Sequence, residues 1–153
     1  MKTFIASGFG AGLLWKTLFG DKKGGGSFAS LIFVFLVYFL NLETIWLLIV
    51  FIFLTIIYFI SVDDEAATND PSWITLDEIV GMSLASLASP SELLPLITGF
   101  IIFRASDILK APNIVAKMEE LPGKKGVLYD DLAAGFFGLL GATIVSQFMN
   151  LTL

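Results

Sequence analysis

The chain has 153 residues, 56% of them hydrophobic, with fifteen phenylalanines and a net charge of −5, and its mean hydropathy of +0.86 exceeds that of ordinary globular chains. It has no cysteine and no histidine, which excludes disulfides, thiolate metal sites, cysteine nucleophiles and imidazole bases. The acidic balance excludes a basic nucleic-acid footprint, leaving carboxylates and a few cations in a chain apolar enough to be a membrane protein.

The N-terminal segment carries Lys2, Lys16 and the run "SGFGAG" at 7–12. No small-residue cleavage site follows its apolar part, so it reads as mature chain and not as a signal peptide. Its glycines suit close helix packing better than a phosphate cradle. "GDKKGGGS" at 20–27 reads as a flexible polar loop without the lysine-serine or lysine-threonine ending of a P-loop. The apolar run from Ser27 to Leu40 is separated by Asn41, Leu42 and Glu43 from the uncharged run Thr44 to Val62. About 19 helical residues suffice for a bilayer core of ~30 Å, and the pair predicts a helical hairpin.

The stretch from Ile79 to Phe103 is too long for one crossing and is interrupted by Ser89, Pro90, Ser91, Glu92 and Pro95, residues that end helices. It predicts two helices of roughly 12 residues, ~18 Å each, joined by a polar turn and either spanning a thinned bilayer or re-entrant. Leu132 to Leu153 carries no charge, and Gly135, Gly138 and Gly141 are spaced for close helix approach, inside the molecule or across a dimer. The predicted fold is all-α: a polytopic membrane helical bundle with a short helical hairpin, forming one domain over 1–153.

Positive residues fall in two places, Lys2, Lys16, Lys22 and Lys23 before the first span, and Arg104, Lys110, Lys117, Lys124 and Lys125 before the last. Both regions are expected to be cytoplasmic, with the C-terminus on the other face. That path places Asp63, Asp64, Asp70, Asp77, Glu78, Arg104, Asp107, Lys110, Asp130 and Asp131 together on the cytoplasmic side.

Two apolar runs open with paired carboxylates, "ITLDEIVGM" at 74–82 and "VLYDDLAAG" at 127–135. Capping accounts for one pair at a time: Thr75 with Glu78 matches a capping box, and acids in a first turn complement the helix dipole. It does not account for the recurrence, and carboxylates at a membrane boundary are costly unless paired or bound to a cation. "FRASDILK" at 103–110 adds Arg104 and Asp107 on one helical face, with Lys110 farther round. Oxygen ligands without nitrogen or sulfur favour Mg2+. Arginine and lysine favour a phosphorylated substrate.

"SGFGAG", "DPSWITLDEIVGM" at 70–82, "GFIIFRASDILK" at 99–110 and "GVLYDDLAAG" at 126–135 come in an order and at a spacing that resemble the phosphatidylglycerophosphatase A family of bacterial membrane phosphatases. The resemblance implies Mg2+-dependent hydrolysis of phosphatidylglycerophosphate to phosphatidylglycerol and phosphate at the cytoplasmic side of the inner membrane. It implies metal ligation by Asp77, Glu78, Asp130 and Asp131, and catalytic roles for Arg104, Asp107 and Lys110. The family's proline-rich turn ending in Pro-Gly-Thr is absent, with only Gly26 and Ser27 as a remnant, and Lys124 and Lys125 are added before the second acidic pair. The alternative function is a small transporter or ion-binding membrane protein with a carboxylate cluster, which would hold its acids near the midplane. A CDP-alcohol phosphotransferase would space aspartates along helices beside a cytidine site, and no such run occurs.

Overall fold

The computed structural model describes residues 1–20, 22–67, 71–88 and 91–152, and these contain helices and no strand. The all-α expectation therefore holds. Asp70, and Ser89 and Pro90 of the predicted turn, lie outside the described residues.

Two short helices, α1 (Lys2–Ala6) and α2 (Ala11–Phe19), lead into an antiparallel hairpin of α3 (Gly25–Leu40) and α4 (Thr44–Ser61). Asn41 ends α3 in the left-handed conformation, which asparagine tolerates better than most residues. A single turn, α5 (Asp64–Ala67), precedes α6 (Leu76–Ala85), a 3-10 turn at Ser86–Ala88 and α7 (Leu93–Leu109). The short α8 (Asn113–Glu119) leads to the 29-residue α9 (Lys124–Thr152). Among the described residues, two helices are long and apolar enough to cross a membrane, α4 and Lys124–Leu151 of α9.

Three expectations are corrected. The 79–103 stretch does form two helices, but they are unequal: α6 has 10 residues and α7 has 17, so α7 alone is ~25 Å long. Pro95 does not end a helix; it is the third residue of α7, within the first turn, where a missing N–H breaks no intrahelical bond. And α9 begins eight residues before Leu132, which puts the second acidic pair about two turns inside the helix. Lys124 to Tyr129 carry no helix breaker apart from Gly126, so charge marked the apolar boundary and not the helical one.

α9 packs along both α6 and α7, and its glycines make this possible. A Cβ on Gly135 would collide with the Gly81 carbonyl of α6, and one on Gly138 would lie 2.7 Å from the Gly99 carbonyl of α7. Gly141 faces the Ile102 side chain. The glycine stripe thus serves packing within the molecule. Lys124, one of the added lysines, fastens the start of α9 to the end of α4. Its Nζ donates to the carbonyls of Phe59 and Val62 at 3.0 Å each, and its carbonyl accepts from the fully buried Tyr58 hydroxyl at 2.9 Å. Its backbone N–H donates to Asp64 Oδ1 at 3.1 Å, and Lys2 pairs with Asp63 at 3.1 Å. Lys2, the end of α4, Asp63, Asp64 and the start of α9 therefore share one end of the bundle. Away from that end, Ile49, Phe53, Ile97, Ile101, Leu140 and Ile144 leave the outer face of the helices apolar and exposed.

Candidate active site

Asp77 and Asp131 each stand four residues before a glycine, Gly81 and Gly135, and residues four apart lie on one helical face. Those two glycines lie against each other: a Cβ on Gly81 would come within 2.8 Å of the Asp131 carbonyl. The absence of both side chains lets α6 and α9 approach closely one turn from the acids, and so brings the acids together. Asp77, Glu78 and Asp131 each offer a carboxylate oxygen, all within 4.8 Å of one another. This is what the recurring acid-acid-apolar-glycine pattern encodes.

Asp77 and Glu78 do stand in the first turn of α6, where acids complement the helix dipole, but no capping box forms. Thr75 occupies the N-cap of α6 but makes no side-chain cap hydrogen bond, and its backbone N–H donates to the Ala6 carbonyl at 3.1 Å. Asp77 and Asp131 are 2% and 3% exposed. Asp131 Oδ1 and Glu78 Oε2 are sealed from solvent without a hydrogen-bond partner. Burial, and then the charge of Asp77, push the Glu78 carboxyl up, with Arg104 opposing. Carboxylates so close cannot all stay charged in a poorly solvated place without a counter-cation, and a donor set made only of oxygen fits a hard divalent ion.

Beside the trio stands a second group, held by ion pairs. Arg104 Nη1 lies 2.9 Å from Asp107 Oδ2 one turn on, and Arg104 Nε donates to Ser27 Oγ at 3.1 Å. Lys110 does not continue round the helix, because it terminates α7 in the left-handed conformation. Its Nζ instead reaches Asp107 Oδ1 at 3.1 Å, Glu119 at 3.5 Å and, more closely, Asp130 Oδ2. Burial alone would pull the Lys110 ammonium down, but the hydrogen bond to Asp130 and the charge of Asp107 outweigh it and hold it above the usual lysine value. Asp130 Oδ1 accepts from the Asp131 N–H at 2.8 Å, so Asp130 falls outside the trio and belongs with Lys110.

All seven predicted residues line one cavity of about 490 Å3. Sequence reasoning missed its opposite wall. Gly24, Gly25, Gly26 and Ser27 line it too, so the end of "GDKKGGGS" is the first turn of α3 and not a loose loop. A side chain at Gly26 would overlap the Glu78 carboxylate. The signal was the Gly-Ser remnant followed at once by an apolar run, a helix start read as the end of a linker. The glycines of "SGFGAG" meet the expectation of packing: Gly8 abuts Thr75 and Gly12 abuts Trp73, which seats α1 and α2 on the segment leading into α6.

The cavity thus joins an oxygen cage for a cation to an arginine fork and a helix N-terminus, both suited to phosphoryl oxygens. Residues 4–146 match the Phosphatidylglycerophosphatase A family. A protein of Bacteroides thetaiotaomicron, provisionally named a phosphatidylinositol-3-phosphatase, is 31% identical over 148 residues, covering 92% of this chain and 90% of that one. No solved structure matches the chain. Both similarities are to enzymes that hydrolyse phosphoric monoesters, and the extent of the first is decisive: the chain belongs to the phosphatidylglycerophosphatase A family.

Proposed function

We propose that the protein is a Mg2+-dependent lipid phosphatase that hydrolyses phosphatidylglycerophosphate to phosphatidylglycerol and phosphate. The observation that carries this reading is the meeting, in one cavity at one end of an apolar bundle, of the Asp77, Glu78 and Asp131 carboxylates with Arg104. Asp77, Glu78 and Asp131 would hold the ion, with Asp130 the ligand best placed to join them if Lys110 moves. Bound there, Mg2+ supplies Lewis acidity toward the phosphoryl oxygens and toward water. Arg104 grips two phosphoryl oxygens and gains strength as charge develops on them. Asp107 and Ser27 fix the guanidinium plane from two different helices. Both Asp107 oxygens are engaged, by Arg104 and Lys110, which favours a positioning role over that of general base. Lys110 holds Asp107 and Asp130 apart from the metal cage.

The apolar exterior and the two helices of spanning length support a multi-pass membrane protein. Lysines at the site end support a cytoplasmic active site, and a cysteine introduced at Lys117 should label only from the cytoplasmic side. A transporter would hold its carboxylates at mid-depth, whereas this cage lies near one end of α6 and within the first third of α9. The named activity of the Bacteroides relative favours testing inositol lipids beside glycerol lipids. The experiment is phosphate release by purified protein from phosphatidylglycerophosphate, phosphatidylinositol 3-phosphate, phosphatidate and soluble phosphoesters, with Mg2+ and with chelator. Release from phosphatidylglycerophosphate well above the others, lost on chelation, is the expected result. Equal turnover of soluble esters would overturn the lipid assignment.

A further inference from the structure

A second cavity, of about 640 Å3, opens on the outer side of the α3–α4 hairpin, and its walls are apolar side chains and glycines throughout. Phe9, Ile32, Leu36, Phe53 and Leu54 form its sides and Ile79 its head. We propose that this groove holds an acyl chain of the phospholipid whose phosphate enters the polar cavity, an inference that rests on the lipid phosphatase reading.

The two cavities are built on the same helices in the order of a lipid's own parts. On α3, Gly26 lines the polar cavity, and Ala29, Phe33 and Leu36 follow at steps of three and four residues along the same face into the apolar one. On α6, Glu78 faces the polar cavity and its neighbour Ile79 the apolar one. Ala29 to Leu36 is seven residues, ~10 Å of helix, or about two thirds of one leaflet of a ~30 Å bilayer core. The groove therefore fits the part of a single leaflet's chain nearest the headgroup, in length as well as in chemistry.

The upper wall is a turn held at a conformational cost. Gly8, Phe9 and Gly10 all have positive φ, at 62°, 56° and 97°, a conformation that a bulky residue such as phenylalanine rarely adopts. Ser7 fastens the turn, accepting from the Gly10 N–H at 3.2 Å and donating to the Phe4 carbonyl at 2.8 Å. Glycine at position 9 would relieve the strain, yet phenylalanine stands there with its ring in the groove wall and half its surface exposed. Lining a hydrocarbon site explains that choice.

The test compares dioleoyl with dihexanoyl phosphatidylglycerophosphate as the ratio of kcat/KM. Ile32→Trp and Leu36→Trp, which fill the groove, should lower that ratio about tenfold or more, because each methylene kept out of an apolar site forfeits a several-fold factor. Phe9→Gly should lower it while raising the melting temperature. Leu140→Trp, on the exposed face of α9, should keep the ratio of the unaltered protein. Independently, phosphatidylglycerol with a diazirine in mid-chain should label residues 29–36 and 50–54 of the unaltered protein above the outer faces of α7 and α9. Even labelling of all exposed helices, or a chain-length ratio that ignores all three groove variants, overturns the groove. Absence of phosphate release from any lipid sinks the phosphatase reading instead, and the labelling pattern still decides the groove.

Discussion

In the first turn of α6, Asp77 and Glu78 both send an oxygen to the carboxylate cage; two turns into α9, Asp131 joins that cage while Asp130 turns away to Lys110. Neighbouring residues on a helix point about 100° apart, so a pair can converge on one point only where the point lies off the helix end. Along the side of a helix, one member faces the point and the other faces the next helix. α6 meets the cage end-on and α9 passes it side-on. Two motifs that read alike are thus a three-oxygen cage plus a separate ion-paired aspartate.

The largest effect should come from breaking the cage on its side-on member. Asp131→Asn is expected to reduce phosphate release to background. Without metal it should raise the melting temperature, because it removes a buried carboxylate oxygen that has no partner. It should also abolish the stabilisation that Mg2+ gives the unaltered protein by binding only the folded state. Asp130→Asn should behave differently: about a tenfold loss of rate as Lys110 loses one anchor, with the Mg2+ shift retained. Equal loss of rate and of the metal shift in both variants would erase the distinction between the two aspartates.

Next in size is the glycine contact that brings the two pairs together. Gly135→Ala sets a methyl group against the backbone carbonyl of Gly81, and backbone cannot swing aside. Overpacking of this kind costs about 1–3 kcal/mol, and the activity loss should exceed what that instability explains, because the cage opens as α6 and α9 part. Gly141→Ala meets only the end of the Ile102 side chain, which can rotate, and should stay within about 0.5 kcal/mol of the unaltered protein. Thermal melts and phosphate release on both variants check this, and equal effects would detach the cage from the glycine contact.

These comparisons also mark how far residues alone could be read. The helical hairpin at 27–62 was legible because two apolar runs broken only at Asn41, Leu42 and Glu43 have few other uses, and the acids were legible because they are costly where they stand. The split between Asp130 and Asp131 was not, since it depends on α9 starting at Lys124, and the apolar boundary hid that start. Lys110 was misplaced for a similar reason: helical spacing puts it farther round α7, but its left-handed backbone folds it toward Asp130. The wall at Gly24–Ser27 was lost because glycines before a serine read as linker, while their partner Glu78 lies some fifty residues away.

A smaller effect separates the paired cations. Arg104→Lys keeps the charge and can still pair with Asp107, but loses the planar fork and the Nε–H donated to Ser27. Its kcat should fall about ten- to a hundredfold, short of losing a whole transition-state donor, with KM changing less, since contacts that strengthen in the transition state appear in the rate. Lys110→Arg, which retains a cation that can still reach Asp107 and Asp130, should cost less. Near-normal turnover in Arg104→Lys would reduce Arg104 to a partner of Asp107.

The smallest effect is the most specific to this structure. Ser27 Oγ accepts the Arg104 Nε–H from the first turn of α3, while Asp107 holds the other side of the guanidinium from within α7. Asp107 alone leaves the plane free to rock about that one contact, so Ser27 sets its angle to the phosphate. Ser27→Ala removes a hydrogen bond to a charged group, and the rate should fall about three- to tenfold, in kcat more than in KM because the charge remains and only its aim is lost. Ser27→Thr keeps the hydroxyl and should recover most of the rate. A purely structural role at the head of α3 would show in the melting temperature of Ser27→Ala and leave kcat alone. Loss of kcat in Ser27→Ala at unchanged melting temperature, restored by threonine, is the result expected if α3 aims the arginine.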